Sequence, residues 1–405
     1  MIASALRIAM IGDRGIPARY SGFSTLVEEV STRLVSTHGF DVTVYCRAQY
    51  FDHRPSIYKG VKLVYLRAPG GKNFESLFHS ARAIVHAALC RYDAVFVVDP
   101  GNGPLTLPLA ISGTPFAIHT DGKGWQRTKW GNLQRRYYKW SEACSARLAT
   151  WLVTDSPAMH SYYLNEYGAR STYIPYGSHV GGEPDTSILA EHGLKPAGYH
   201  LVVARLEPEN NVGLIVREYR QSRAQLPLVY VGAARYESSH SREVLAQTDG
   251  RVRCIGAVYD AERLNALYAN CRSYIHGHEV GGTNPSLLRA MGAGAACIPI
   301  DVVYHHEALG EQGLFFGRHP GELAAILDQL EADDELVGRL GRLAADRASS
   351  LFRWDAVADA YAQMMTRLAC RSDTPTKMAG LAAVRYAPGQ FTGGTMGQLD
   401  DRTPP

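Results

Sequence analysis

Long apolar runs are missing from this chain of 405 residues; no stretch of eighteen could cross a bilayer as a helix. Its amino end, Met1-Ile2-Ala3-Ser4-Ala5-Leu6-Arg7-Ile8, reaches a charged loop by Asp13 without the apolar segment or cleavage site of a secretory signal. Paired cysteines are missing too. The seven, at positions 46, 90, 144, 254, 271, 297 and 370, are scattered, odd in number and never spaced C-x-x-C. They read as free thiols in a reducing compartment rather than a disulfide frame or a zinc site. An excess of either charge is also lacking: 42 basic residues against 39 acidic leave a net +3. That is too little for a protein built along its length for nucleic acid, so any basic partner surface must be local. A cytoplasmic location is expected.

What is present suits a globular protein of more than one unit. Hydrophobic residues make up 46% and charged residues 20%, enough to bury a substantial core, and at roughly 150 residues per domain the length suggests two. Short apolar, β-branched runs alternate with helical-period stretches, the pattern of parallel sheets covered by helices. Strands are expected near 6–12, 40–46, 62–67, 93–98, 114–119, 151–154 and 171–175, with helices near 24–37, 74–90, 129–149 and 156–166. Residues 1–178 then form an amino-terminal Rossmann-like domain, and 179–198, rich in Gly, Pro and Ser/Thr, a linker. A second alternating series, with strands near 199–203, 227–232, 251–255, 272–276 and 295–300, makes 199–353 a second such domain. Residues 371–405 lack apolar periodicity and read as a disordered tail.

In open parallel sheets ligands bind at the carboxyl ends of strands, which directs attention to the loops after residues 12, 98, 118, 203, 232 and 276. The first reads Gly12-Asp13-Arg14-Gly15-Ile16-Pro17-Ala18-Arg19-Tyr20-Ser21-Gly22-Phe23. Its glycines permit close backbone approach, and the following helix offers free amides to an anion, unless it is simply a flexible connection. The spacing is not G-x-G-x-x-G and Tyr45-Cys46-Arg47, not an acid, ends the second strand, so a dinucleotide site is not indicated. In the loop from His119, a histidine at a strand end can bond a substrate hydroxyl, and Asp121 can orient it or take a proton; either could equally be a structural polar group.

Between Asp121 and Trp151 stand seven basic residues (Lys123, Arg127, Lys129, Arg135, Arg136, Lys139, Arg147) against two acids, Asp121 and Glu142. Interleaved with Trp125, Trp130, Tyr137, Tyr138 and Trp140, they suit an anionic membrane or a phosphate-bearing acceptor, or else a solvated helix face. Arg205, in Arg205-Leu206-Glu207-Pro208-Glu209-Asn210-Asn211, can grip a diphosphate by paired N–H bonds or make a surface ion pair. In His276-Gly277-His278-Glu279-Val280-Gly281-Gly282-Thr283-Asn284-Pro285-Ser286-Leu287-Leu288-Arg289, Asn284 is a good N-cap and Pro285 a good first helical residue. Two glycines before them should leave amides uncovered for a phosphate, with a plain helix cap as the alternative. The His-x-His-Glu cluster hints at zinc, but no partner ligands show metal spacing.

Together these segments resemble the retaining family-4 glycosyltransferases of GT-B fold, in their bacterial rhamnosyltransferase-like branch. The matching strings are Arg14-Gly15-Ile16-Pro17-Ala18-Arg19-Tyr20, Asp121-Gly122 with Trp125-x-Arg127-x-Lys129-Trp130, Ile174-Pro175-Tyr176-Gly177, Arg205 to Asn211, and Gly281 to Leu288. The resemblance implies an α/β fold of two Rossmann-like domains whose parallel sheets face a central cleft, with 354–370 crossing back to the first. It implies transfer of a sugar, commonly from dTDP-rhamnose, to a lipid-linked or growing glycan acceptor in surface polysaccharide synthesis, with no metal, resident cofactor or nucleic acid. The basic-aromatic stretch 123–147 would touch the inner face of the plasma membrane. Carried over by position, His119, Asp121 and Arg205 are the catalytic candidates. Arg205, Asn210, Glu279, Gly281, Gly282, Thr283, Asn284, Ser286 and Arg289 line the donor side, and Arg14, Gly15, Tyr20, Gly22, Trp125 and Arg127 the acceptor side.

The chain also has no Asp-x-Asp triplet, the usual sign of a metal-bound sugar nucleotide. Three positions depart from the family, which places acids where this chain has Ser24, Gly124 and Arg289. Arg289 could bind a phosphate or pair with Glu279. The departures motivate a second reading, a catalytically impaired sugar-nucleotide-binding or partner protein.

Overall fold

The computed structural model describes residues 5–18, 22–69, 71–127, 130–182, 186–232 and 239–371; Tyr20 and the stretch 372–405 lie outside them. The expected strands form. A sheet of eight contains β1 (Arg7–Ile11), β2 (Asp41–Arg47), β3 (Ile57–Tyr58), β4 (Val61–Leu66), β5 (Ala94–Val98), β6 (Phe116–Thr120), β7 (Trp151–Thr154) and β8 (Thr172–Tyr173), in the order β3-β4-β2-β1-β5-β6-β7-β8. All its pairings are parallel except the short β3–β4 edge, which the sequence pattern did not reveal. A second, wholly parallel sheet holds β9 (His200–Val203), β10 (Leu228–Val231), β11 (Val252–Cys254), β12 (Ser273–His276) and β13 (Cys297–Pro299), ordered β11-β10-β9-β12-β13.

The central strands are apolar throughout because helices cover both faces, as parallel sheets require. Every residue of β5 is buried. The helix Gly22–Ser36 turns Leu26, Val27, Val30 and Leu34 inward, the three-to-four spacing of one helical face. Between the sheets, in the stretch read as linker, Ser187–Glu191 forms a short helix.

The chain crosses between the two sheets twice, and the crossings lie side by side. Ser178 bridges in parallel to Arg353, its amide donates to the Phe352 carbonyl, and its hydroxyl donates to the Leu288 carbonyl at 2.7 Å. Trp354, 4% exposed, packs on Gly177, where a Cβ would fall 2.3 Å from the indole. It opens the helix Trp354–Ala369, which returns along Gly22–Ser36 and is tied to it by Arg33–Asp355 at 3.0 Å and His38–Asp359 at 3.1 Å. No helix among the described residues is long and apolar enough to cross a membrane.

Candidate active site

The carboxyl ends of the two sheets meet across a closed seam. β1 is followed by Gly12 at φ +114, where a Cβ would fall 2.4 Å from the Val98 carbonyl, so glycine is required for the chain to turn over β5. Arg47, 7% exposed at the end of β2, braces this turn through Gly12 O at 3.4 Å, Ser76 Oγ at 2.8 Å and Glu75 at 3.4 Å. Ser24, at one of the positions departing from the family, donates its hydroxyl to Asp13. The start of Gly22–Ser36 abuts the second sheet's side directly: a Cβ on Gly22 would lie 2.9 Å from Pro285.

Four acids, Asp99, Asp121, Glu209 and Asp155, and two arginines, Arg127 and Arg205, converge on the seam. Asp99 follows β5 at φ +74, unusual for a non-glycine residue, and its carboxylate accepts the Gly101 amide at 2.8 Å. Burial pushes the Asp99 carboxyl up, against the pull of that amide and of Arg127. Asp121 follows β6; burial raises it as well, opposed by Arg127, the Gly282 amide and Arg205. Burial disfavours the Arg127 charge, yet Asp121, Tyr138, Asp99 and Glu209 together outweigh that and hold the guanidinium more firmly protonated than usual. Arg205 is half-buried and turned into the seam, where its charge acts on Asp121 and on His278. Asn210 donates to the Arg205 carbonyl at 2.8 Å, so it shapes the turn that presents the arginine. Asp155, after β7, is the fourth acid and is wholly buried.

On the opposite side stands the helix Pro285–Gly292, with Asn284 as N-cap as expected: its carboxamide oxygen accepts the Ser286 amide at 3.0 Å and the Ser286 hydroxyl at 2.8 Å. The expectation of uncovered amides does not hold. A Cβ on Gly122 would fall 2.3 Å from the Gly281 Cα, and one on Gly282 2.1 Å from an Asp155 oxygen. Thr283, 5% exposed, donates its hydroxyl to the Asp155 carbonyl at 2.7 Å. Glycines remove the side chains that would keep the two backbones apart, so the segment closes on the first sheet's acids instead of on solvent.

Other expectations are corrected. His119 is not oriented by Asp121: its ring is fully buried among Phe23, Phe96 and Tyr176, at 5.7, 6.2 and 5.7 Å between centroids. Neither ring nitrogen has a partner, and burial pushes the imidazole down to about 3, so it is neutral. Glu279 does not pair with Arg289; it pairs with Arg318, whose Nε lies 2.8 Å away. Arg289 acts on the buried Tyr268 instead. His276 and His278 do not converge as ligands, because their rings stack at 4.4 Å and 16°, and no group of three metal-ligating side chains occurs among the described residues. Arg14 lies with its guanidinium 4.5 Å from the centre of the Tyr50 ring, and Gly15, at φ +107, rests on Cys46.

The basic-aromatic stretch is divided between half-buried contacts and the surface. Lys139 sits 5.1 Å from the Trp125 ring, 5.1 Å from Tyr162 and 5.4 Å from Tyr167. Buried Glu142 accepts the hydroxyls of Tyr162 and Tyr167 at 2.8 and 2.9 Å, and Trp125 donates to Tyr162 at 3.2 Å. These contacts leave Leu133, Arg135, Arg136, Trp140 and Arg147 as the exposed apolar, aromatic and basic residues of the helix Asn132–Leu148.

Two parallel sheets opposed at their carboxyl ends define a GT-B-like architecture. Residues 198–333 match the family described as glycosyl transferases group 1, and residues 109–179 a domain of unknown function, DUF1972. The second sheet and its helices are thus similar to the group 1 glycosyltransferases. O-antigen chain mannosyltransferase B of Escherichia coli is 26% identical over 145 residues, 34% of this chain and 37% of the relative, so the match spans little more than a third of that protein. Among solved structures, the sucrose-phosphate synthase of Thermosynechococcus elongatus is 20% identical with TM-score 0.76 over 91% of this chain and 100% of the other. HepE of Anabaena, solved with UDP-glucose, is 15% identical with TM-score 0.70 over 89% and 99%. At such identities the structures establish the fold, and the curated relative names mannose rather than rhamnose.

Proposed function

We propose that this chain is a retaining glycosyltransferase, moving a sugar from a nucleotide diphosphate to a lipid-linked or growing glycan acceptor of a surface polysaccharide. One observation carries the reading: within the segment similar to the group 1 family, Arg205 and the start of Pro285–Gly292 face the acids of the first sheet across a single seam. Opening that seam exposes Gly281, Gly282, Thr283 and Ser286 to a diphosphate, and the Arg205 guanidinium can take the charge that grows on it as the glycosidic bond breaks. A diphosphate oxygen receives the acceptor proton on the same face. Asp121 and His119 lie on the sugar's side, His119 offering a neutral ring with both nitrogens unsatisfied. The resemblance favours dTDP-rhamnose, the curated relative favours mannose, and HepE is solved with UDP-glucose. Arg205 and the amides, rather than a metal, take the leaving-group charge.

A thermal-shift panel of dTDP, UDP and GDP tests the reading. A nucleotide present at a hundred times its dissociation constant adds about 2.7 kcal/mol, and a melting temperature unmoved by all three removes the donor site. The sealed amides and Arg289 support the second reading, sugar-nucleotide binding without turnover; stabilisation with no transfer to membrane lipid would select it. Contact with an anionic membrane falls to Leu133, Arg135, Arg136 and Trp140. Sedimentation with anionic vesicles should be lost when both arginines become glutamate.

A further inference from the structure

The proposed reaction gives no part to the most deeply buried acid of the seam. Asp155 is wholly shielded from solvent, and neither carboxylate oxygen finds an aligned donor. Only its own amide and that of Thr283 lie near. One loop fixes its place: the Thr283 hydroxyl donates to its carbonyl at 2.7 Å, and Gly282 lies so close that any Cβ would strike the carboxyl.

The groups around it come from every neighbouring element. Asp121 faces it from the end of β6, and Glu307 from the helix Val303–Leu309 of the second sheet's side. Tyr176 follows β8, Tyr304 shares the Glu307 helix, and Tyr361 comes from Trp354–Ala369. The strongest charged influences on Asp155 are thus carboxylates, while Arg127 and Arg205 serve Asp121. A carboxylate buried among like charges costs several kcal/mol, and keeping a proton avoids that cost. Burial, with Asp121 and Glu307 adding to it, pushes the Asp155 carboxyl well up.

We infer, resting on the donor site proposed above, that Asp155 is a positioning residue: it seats the Gly281–Thr283 loop as a neutral acid, so that closing the cleft over a nucleotide diphosphate takes up a proton. In the open cleft water reaches Asp155, which then ionises above about pH 4. Closure returns the proton. The sign follows: the closed state binds more protons, so it is favoured at low pH and loses its advantage as pH rises, by up to about tenfold per unit. Glu307, pushed up to about 7 by burial while its carboxylate caps the Ala158 amide, titrates in the same range. The test must therefore isolate Asp155.

Asp155→Asn keeps the shape and fixes the neutral form. Calorimetric titration with whichever of dTDP, UDP or GDP stabilises the chain, in two buffers of different ionisation heat at pH 7.5–8.5, counts the protons taken up on binding. Those of the nucleotide and of Glu307 cancel between variants. The wild type should take up about one proton more than D155N, and between pH 7.5 and 8.5 its affinity should fall about tenfold relative to that of D155N. Equal uptake and affinity overturn this inference and leave the donor site standing, whereas no binding of any nucleotide by the wild type overturns the donor site and this inference with it. If D155N does not fold, infrared difference spectra of the wild type on nucleotide binding decide: a carboxyl group must gain a proton, and its absence is a negative result.

Discussion

Replacing Arg205 with alanine is expected to lower kcat/KM for nucleotide-sugar turnover by about 10²–10³, or roughly 3–4 kcal/mol of transition-state stabilisation. The fold should survive, because the side chain is half-buried at the seam and outside the three hydrophobic clusters. Its loss leaves Asp121 with Arg127 still beside it. Arg205→Lys should recover only part of the activity, since an ammonium restores the charge and not the two-pronged N–H geometry that matches a diphosphate. Steady-state kinetics with varied donor check this; an alanine variant with unchanged turnover would remove Arg205 from the mechanism.

Gly122→Ala should be nearly as damaging by a route that involves no charge. A Cβ at residue 122 would fall 2.3 Å from the Gly281 Cα, against backbone that cannot rotate away, so the seam must part by roughly an ångström. Misplacement on that scale costs about a hundredfold in rate. Nucleotide affinity should suffer far less than turnover if the open cleft admits the donor and the closed one performs the chemistry. A variant with wild-type kcat would show that contact between Gly122 and Gly281 is not part of the working state.

Much of this architecture was legible from the residues. Apolar β-branched runs marked the major strands, because strands covered on both faces must be hydrophobic along their whole length. Asn284-Pro285 marked a helix start that the structure confirms in detail. The two-residue β3 carried no periodicity to read. In the site, Asp155 escaped because Ser156-Pro157 is a complete capping signal by itself: Ser156 does cap the helix, accepting the Met159 amide at 3.2 Å, and the acid before it looked like part of a turn. Asp99 escaped because its backbone, at φ +74 and ψ +114, lies outside the left-handed region that aspartate and asparagine favour. Glycines at 281 and 282 were read as making room for a ligand, whereas the same lack of side chains lets the first sheet's loops close in. Sequence shows that space exists but not which neighbour fills it.

The paired crossings at Ser178 and Phe352–Arg353 constrain how that space can open. Two lengths of backbone bonded edge to edge act as a strap, which bends readily about its width and resists torsion about its length. Hinged on such a strap, the halves would swing apart like a book on its spine sooner than slide sideways. Each reopening then brings Asp121, Asp155 and Gly282 back into the same register, so alignment at the seam is inherited from a joint that touches none of them.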